Sequence, residues 1–147
     1  MPALRIEGHC LCRAVAYAYD VEPLWTLHCH CESCRRGTSA PVATWISVSH
    51  TGFRWTRGTP KAFSSSPGVT RKFWGTCGSP LTYENERIPD EVHVLAGSLA
   101  DPSGVKPLRH VFAEEQLPWF EIVDNLPRYA TFSRNGSPPE RIGPRKA

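Results

Sequence analysis

The chain has 147 residues, about the length of one domain, with 40% hydrophobic and 21% charged residues and a formal net charge of +3. Because this charge is small and the basic residues are scattered except at the C-terminal end, the composition is not typical of a nucleic-acid-binding protein. The N-terminus lacks the apolar stretch of a signal peptide, and no window approaches the ~18 apolar residues of a membrane span. We therefore predict a cytoplasmic protein that binds neither nucleic acid nor a membrane.

Short β-strands are predicted along most of the chain. Arg13–Tyr19 alternates Val15, Tyr17 and Tyr19 with small alanines, which is the period-two pattern of a strand. The other strand candidates are all short and separated by Gly, Pro or Ser: Trp25–Cys29, Ala43–Val48, Phe53–Thr56, Val69–Trp74, Pro80–Tyr83 and Val92–Ala96. This spacing predicts a mainly β fold.

One short helical turn and one tail interrupt this pattern. The turn is expected to open near Glu32 or Ser33 and to stop by Gly37, because small polar residues start helices and Gly ends them. Residues 133–147 are polar, basic and rich in Pro and Gly, so they bury too little apolar surface to offset the entropy of ordering. We predict one domain over residues 1–132, followed by a flexible basic tail.

The six cysteines lie in close groups that favour metal binding. Cys10 and Cys12 form one C-x-C, Cys29, Cys31 and Cys34 form a C-x-C-x-x-C, and Cys77 stands alone. Zinc–sulfur bonds of ~2.3 Å require ligand sulfurs within ~4 Å of one another. Residues i and i+2 of a strand start ~6.6 Å apart, so each C-x-C must lie at a bend, which Gly8 would allow for the first pair.

Packed free thiols and disulfides account less well for these cysteines than metal binding does. Free cysteines pack as small hydrophobes, but this does not explain five cysteines in two tight groups. Disulfides are disfavoured because a C-x-C pair makes a strained ring and the cytoplasm is reducing. Gly78 directly follows Cys77 and is expected to supply the positive φ of a tight turn there.

Spacing alone does not settle how the thiols are grouped. One grouping takes Cys29, Cys31 and Cys34 from a single segment and joins Cys10 and Cys12 to the distant Cys77. A three-cysteine site leaves the fourth tetrahedral position of zinc open, which is typical of catalytic sites. Arg35 and Arg36 follow Cys34 directly. They could offset the negative charge of the thiolates or bind a carboxylate; the alternative is that they are ordinary surface arginines.

The blocks GHCLCRAVAY, CHCESCRR, RKFWGTCGSPLTY and HVFAEEQLPWFEIVDNLPRY resemble the glutathione-dependent formaldehyde-activating enzyme family, which is related to the centromere protein V group. The resemblance covers about residues 5–132. It implies an Mss4-like fold of several short antiparallel sheets built around zinc, with up to two zinc ions per chain. It also implies a carbon–sulfur lyase whose substrates are glutathione and formaldehyde and whose product is S-hydroxymethylglutathione.

Carried over by residue, the resemblance assigns Cys10, Cys12 and Cys77 to a structural zinc and Cys29, Cys31 and Cys34 to the zinc at the glutathione site. The chain departs from the family where Trp74 replaces a cysteine of the last block. Indole cannot ligate zinc. Either a water or a histidine replaces that ligand, or zinc binds weakly, or Trp74 fills the space by packing; we expect retained binding of moderate strength.

The remaining candidates are histidines and the last aromatic block. His9, His28 and His30 flank the cysteines, but neighbouring positions along a strand point to opposite faces, so surface or packed histidines are the simpler interpretation. Trp119, Phe120, Ile122, Leu126 and Tyr129 are most simply core and edge packing. His110 and Asp124 lie beside apolar runs, with substrate contact as the alternative to packing.

Two rival functions follow from the same residues. One is a non-enzymatic zinc-stabilised module that binds a protein partner, since a fold does not fix a function. The other is a lyase that acts on a different thiol or aldehyde. The intact set of Cys29, Cys31 and Cys34 favours an enzyme, whereas Trp74 favours a diverged member.

Overall fold

A computed structural model describes residues 4–131 and the backbone of residues 141–142. The strands, in chain order, are β1 (Ile6–His9), β2 (Ala16–Tyr19), β3 (Trp25–Cys29), β4 (Ala43–Ser49), β5 (Phe53–Arg57), β6 (Lys61–Ser66), β7 (Val69–Phe73), β8 (Pro80–Asn85), β9 (Glu91–Leu95), β10 (His110–Val111), β11 (Arg128–Tyr129) and β12 (Arg141–Ile142). One α-helix, α1 (Glu32–Thr38), follows β3, and short 3-10 helices span His50–Gly52, Ala96–Ser98 and Ala113–Glu115. The chain divides into two compact units, the first from the N-terminus to Trp25 with Trp45–Val105 and the second made of Thr26–Thr44 with the chain from Lys106 onward.

The first unit is built from antiparallel pairings. β2 lies between β1 and β5 in a three-stranded sheet, and the strands β4, β9, β8, β7 and β6 pair in that order. The alternation predicted around β2 is visible in its packing, since Val15, Tyr17 and Tyr19 are all buried. Burial of these side chains supplies the apolar contacts that hold the sheets together.

Tyr17 explains why a glycine stands at position 8. Its ring is fully buried against Phe53 and Trp55, and its hydroxyl lies 2.5 Å from Ser98 Oγ. A Cβ at position 8 would lie 2.2 Å from the Tyr17 ring, so Gly8 allows close approach rather than a bend. The expectation that Gly8 bends the chain for the first C-x-C was therefore wrong.

The second unit contains the only parallel pairings among the described residues. β10 pairs in parallel with β3 on one side and with β11 on the other, and β11 pairs antiparallel with β12. The helix α1 begins three residues after β3 ends. This arrangement brings residues that are about eighty positions apart in sequence onto neighbouring strands.

The predicted mainly β fold of several short sheets is confirmed, and each predicted strand is present within a few residues of its expected bounds. The expected strand start at Arg13 was wrong, because Arg13 has a φ of 67° and belongs to a turn before β2. The expected helix end at Gly37 was also early: α1 runs to Thr38, and Ser39 takes the left-handed conformation after it with a φ of 54°. β1, β6 and the two-residue strands β10, β11 and β12 were not predicted.

Two further expectations concern the C-terminal part. Trp119 was expected in the core but its side chain is 71% exposed, and Phe120, Ile122, Leu126 and Tyr129 are only half-buried. The predicted flexible tail, 133–147, lies outside the described residues except for the short strand β12. Within the described part of the chain, no helix is long and apolar enough to cross a membrane.

Candidate metal centres

The thiols of Cys29, Cys31 and Cys34 converge where β3 passes into α1. Cys29 is the last residue of β3, Cys31 caps the N-terminus of α1, and Cys34 lies in its first turn. The Cys31 sulfur accepts a hydrogen bond from the Cys34 amide at 3.3 Å, as a capping side chain does. The three sulfurs lie within 4.8 Å of one another. The local fold therefore presents three soft ligands to one point, as the sequence predicted.

The electrostatics of this cluster favour a cation. The neighbouring thiols of Cys31 and Cys34, and after them burial, raise the pKa of Cys29 well above its ordinary value. Three close thiols therefore resist ionisation on their own, and a metal ion among them relieves this penalty because it stabilises thiolates directly. Thiolate donors are soft ligands that zinc binds readily, so the donor set fits the metal that the sequence implied.

A second cluster joins Cys10 and Cys12 to Cys77 in the first unit. Cys10 follows β1 and starts a turn in which the Arg13 amide donates to the Cys10 carbonyl at 3.0 Å. This turn places the Cys10 and Cys12 sulfurs 3.7 Å apart. The positive φ of Arg13, rather than Gly8, makes the bend.

Cys77 reaches the same point from a second turn. The Gly78 amide donates to the Trp74 carbonyl at 2.7 Å, and Gly78 has a φ of 78°, as expected for the glycine after Cys77. The sulfurs of Cys10, Cys12 and Cys77 lie within 4.8 Å of one another. The grouping inferred from the sequence is therefore the one in which the structure brings the thiols together.

Ser79 favours the ionised form of the Cys77 thiol. The Leu11 amide donates to Ser79 Oγ at 2.8 Å, and the Cys77 thiol donates to the same oxygen at 3.4 Å; when Cys77 ionises, the Ser79 hydroxyl donates to the thiolate instead. This hydrogen bond is the main cause that lowers the pKa of Cys77 to about 6. At neutral pH the Cys77 sulfur is then mostly ionised before any metal binds.

The variant Ser79→Ala tests this contact. In metal-free protein we expect iodoacetamide to alkylate wild-type Cys77 with a midpoint near pH 6, and the midpoint to rise in Ser79→Ala because the thiolate loses its donor. Peptide mapping across a pH series measures this midpoint, with Ser103→Ala as a control far along the chain. An unchanged midpoint in Ser79→Ala would contradict the assigned hydrogen bond.

Trp74 does not approach the metal cluster as a ligand but packs against the hydrophobic core, partly buried. Among the described residues no fourth donor joins Cys10, Cys12 and Cys77, so His9, His28 and His30 do not replace the missing cysteine. His9 instead donates from Nδ1 to the carbonyl oxygen of Cys10 at 2.8 Å. The packing of Trp74 against the core agrees with the third of the alternatives left open by the sequence.

A third group, which the sequence did not predict as a cluster, is formed by histidines and a carboxylate. One ligand atom each of His28, His110 and Asp124 lies within 4.8 Å of the others. Burial lowers the pKa of His28, and burial together with His110 lowers the pKa of His30 to about 4. Partial burial raises the pKa of Asp124, but the hydrogen bonds from His110 and from the Leu126 amide outweigh it and hold that pKa below its usual value. The cluster thus contains the neutral His28 imidazole beside the ionised Asp124 carboxylate.

Comparison with known proteins decides the family. The family model described as glutathione-dependent formaldehyde-activating enzyme matches residues 5–115, well over half of the chain. The chain belongs to this family. The match covers the first three sequence blocks that carried the resemblance and the start of the fourth, and the two cysteine clusters of this family member are those described above.

The proteins similar to this chain include one from a yeast and one from a bacterium. An uncharacterized lyase of Schizosaccharomyces pombe is 31% identical over 85 residues, which are 56% of this chain and 61% of the yeast protein. The chain therefore matches less than two thirds of that relative's length. A Rhodobacter sphaeroides protein of known crystal structure is similar with a TM-score of 0.54 and 26% identity, over 69% of this chain and 91% of that one.

Proposed function

We propose that this protein is a zinc-dependent carbon–sulfur lyase that joins glutathione to formaldehyde. The observation that carries the proposal is the convergence of the Cys29, Cys31 and Cys34 sulfurs at one point, in a chain that belongs to the family named for this reaction. The yeast relative, named as a lyase, supports the reaction class. In the reaction a carbon–sulfur bond forms and the carbonyl π electron pair moves to oxygen. The proton lost by the thiol is transferred to that oxygen, which gives S-hydroxymethylglutathione.

The thiolates of Cys29, Cys31 and Cys34 would hold zinc. When bound there, zinc would lower the pKa of a substrate thiol, so that the sulfur would be nucleophilic at neutral pH. The protein's own part is to fix the three ligands in place: the end of β3 holds Cys29, and the first turn of α1 holds Cys31 and Cys34. Such preorganisation avoids a rearrangement when the substrate binds.

Arg35 is the residue best placed to assist binding of an anionic thiol. The next residue, Arg36, forms an ion pair with Glu32, in which Arg36 Nε lies 2.9 Å from Glu32 Oε1. In contrast, the Nε of Arg35 is buried and has no hydrogen-bond partner among the described residues. A buried donor without a partner costs free energy unless a ligand or water satisfies it. We therefore assign Arg35 to one of the carboxylates of glutathione.

Exchange spectroscopy tests the proposed reaction, which also proceeds slowly without an enzyme. In a mixture of formaldehyde and glutathione at equilibrium, we expect the NMR exchange rate between free and sulfur-bound formaldehyde to rise in proportion to protein concentration. Cysteine and 2-mercaptoethanol serve as alternative thiols, and acetaldehyde as an alternative aldehyde. Acceleration with one of these but not with glutathione and formaldehyde would overturn the substrate assignment, and no acceleration with any pair would overturn the enzymatic proposal.

Arg35→Gln tests the role assigned to this side chain. Loss of one charge-assisted hydrogen bond is expected to weaken glutathione binding by about tenfold, since such bonds contribute roughly 1.5–3 kcal/mol. The matched control is Arg36→Gln, whose guanidinium is already paired with Glu32 and exposed. Glutathione dependence of the exchange rate gives the apparent affinity; equal effects of the two substitutions would contradict the assignment.

A further inference from the structure

Three of the chain's six histidines, His28, His30 and His110, lie together in the second unit. The parallel register pairs His110 with His28 and Val111 with Cys29. Successive residues of a strand face opposite sides, so His28 and Cys29 project from opposite faces of β3. The histidine group therefore lies on the face of β3 that does not carry the Cys29 thiol.

The donors of this group are those of a two-histidine, one-carboxylate metal site. His28, His110 and Asp124 each place a ligand atom within 4.8 Å of the other two. The His110 Nε2 is 2.9 Å and 3.1 Å from the two carboxylate oxygens of Asp124. Ligand atoms bound to one divalent ion at ~2.1 Å stand ~3.0–3.4 Å apart, which His110 Nε2 and the Asp124 carboxylate already match, whereas the donor of His28 would have to lie within the same range once an ion binds.

The other ring nitrogens are engaged by the contacts that orient metal-binding histidines. His28 Nδ1 lies 2.8 Å from Thr44 Oγ1, and His110 Nδ1 lies 2.8 Å from His30 Nε2. These contacts engage Nδ1 of each ring and fix the orientation of the rings, so Nε2 is the atom that would bind an ion; at His110 the ion would replace the hydrogen that Nε2 shares with Asp124. His30 is 1% exposed, so this outer support is held rigidly inside the unit.

The cluster also has a route to solvent. His110 is buried, but the Asp124 side chain is 39% exposed. An ion can therefore enter from the carboxylate side, and with three protein ligands it would keep open positions there. A hydrogen-bonded pair of His110 and Asp124 would need no third donor nearby. The position of His28 beside this pair therefore favours a metal site.

We propose that His28, His110 and Asp124 form a binding site for a divalent first-row transition metal, distinct from both cysteine clusters. Thr44 and His30 are the positioning residues of this site, because each holds a ligand ring through its second nitrogen. Borderline imidazole and carboxylate donors select zinc, iron(II), cobalt(II) or nickel(II) over the harder calcium and magnesium. The proposal does not depend on the thiol chemistry of the cysteine clusters.

Cobalt titration of zinc-loaded protein tests the site. Metal-free protein is loaded with two equivalents of zinc per chain, which the thiolate clusters take up first, and is then titrated with cobalt(II), while uptake is followed by calorimetry and by absorption. We expect one further cobalt ion per chain, without the near-ultraviolet sulfur-to-cobalt absorption that thiolate ligation produces. Asp124→Asn, at an exposed position, keeps the side-chain shape but replaces the carboxylate by a poor ligand, and we expect at least about tenfold weaker binding.

Thr44→Val removes only the outer contact to His28 and is expected to weaken cobalt binding by about 10–100-fold. The control is His50→Gln, because His50 in the first unit is an exposed histidine 3.7 Å from the Glu84 carboxylate with no third donor among the described residues. Binding should be unchanged in that control. No cobalt uptake, uptake that carries the sulfur absorption, or uptake equal in wild type and Asp124→Asn would overturn the proposal, whatever the exchange assay shows about thiol chemistry.

Discussion

Cys31→Ser is expected to abolish the acceleration of formaldehyde exchange with glutathione. Cys31 is the middle ligand of its cluster and also caps α1, where its sulfur accepts from the Cys34 amide. Serine keeps the cap but is a weak zinc ligand, so the change removes the metal rather than the helix. Metal activation contributes several kcal/mol to such reactions, and at about 1.4 kcal/mol per tenfold the rate should fall at least about a hundredfold.

The matched control for this variant is Cys77→Ser, in the cluster of the first unit. It also replaces one of three converging thiols, but at a site whose expected role is structural. We expect lower thermal stability with a rate per folded molecule close to that of wild type. Equal loss of activity in both variants would contradict the division of roles between the two clusters.

Gly8→Ala is expected to lower the free energy of unfolding by about 3 kcal/mol, near the upper end of the usual range for overpacking. The added Cβ would lie 2.2 Å from the Tyr17 ring and 2.8 Å from the Ser98 carbonyl oxygen. Tyr17 cannot move aside easily, because it is fully buried and its hydroxyl is hydrogen-bonded to Ser98. This clash outweighs the ~0.5–1 kcal/mol that alanine usually gains over glycine in a strand.

Gly97→Ala is the control for Gly8→Ala, because nothing lies within 4 Å of a Cβ at position 97. We expect its unfolding free energy to change by about 0.5 kcal/mol or less. Urea unfolding at fixed zinc content, followed by tryptophan fluorescence, compares the two variants. A Gly8→Ala protein as stable as Gly97→Ala would contradict the packing described around Tyr17.

Much of the fold was predictable because the sequence signals are local. Val15, Tyr17 and Tyr19 alternate with alanines, and their burial follows from that alternation. The strands that were missed lack the signal: β6 is exposed along its whole length and is held by pairing with β7, β1 contains Gly8, and β10, β11 and β12 have only two residues each. Pairing with a neighbour, rather than periodicity, makes these segments strands.

The candidate metal centres also differ in how far the sequence predicts them. Cys29, Cys31 and Cys34 are close in sequence, so their spacing alone indicated a site, and Gly78 indicated the turn at Cys77. The histidine cluster joins position 28 to position 110, and no local pattern reveals the parallel pairing of β3 with β10. Trp119 was predicted to be buried but is exposed, because an apolar side chain in an apolar run need not be buried.

The most direct test of the account is the zinc content of the chain, measured by elemental analysis of protein purified without added metal, for wild type, Cys31→Ser and Cys77→Ser. The two converging cysteine clusters predict about two zinc ions per wild-type chain and about one in each variant. If wild type holds about one zinc and Cys31→Ser holds none, the cluster of the first unit does not bind zinc, and the replacement of a cysteine by Trp74 is the reason. Wild-type protein without zinc would contradict the central claim that these cysteines are metal ligands.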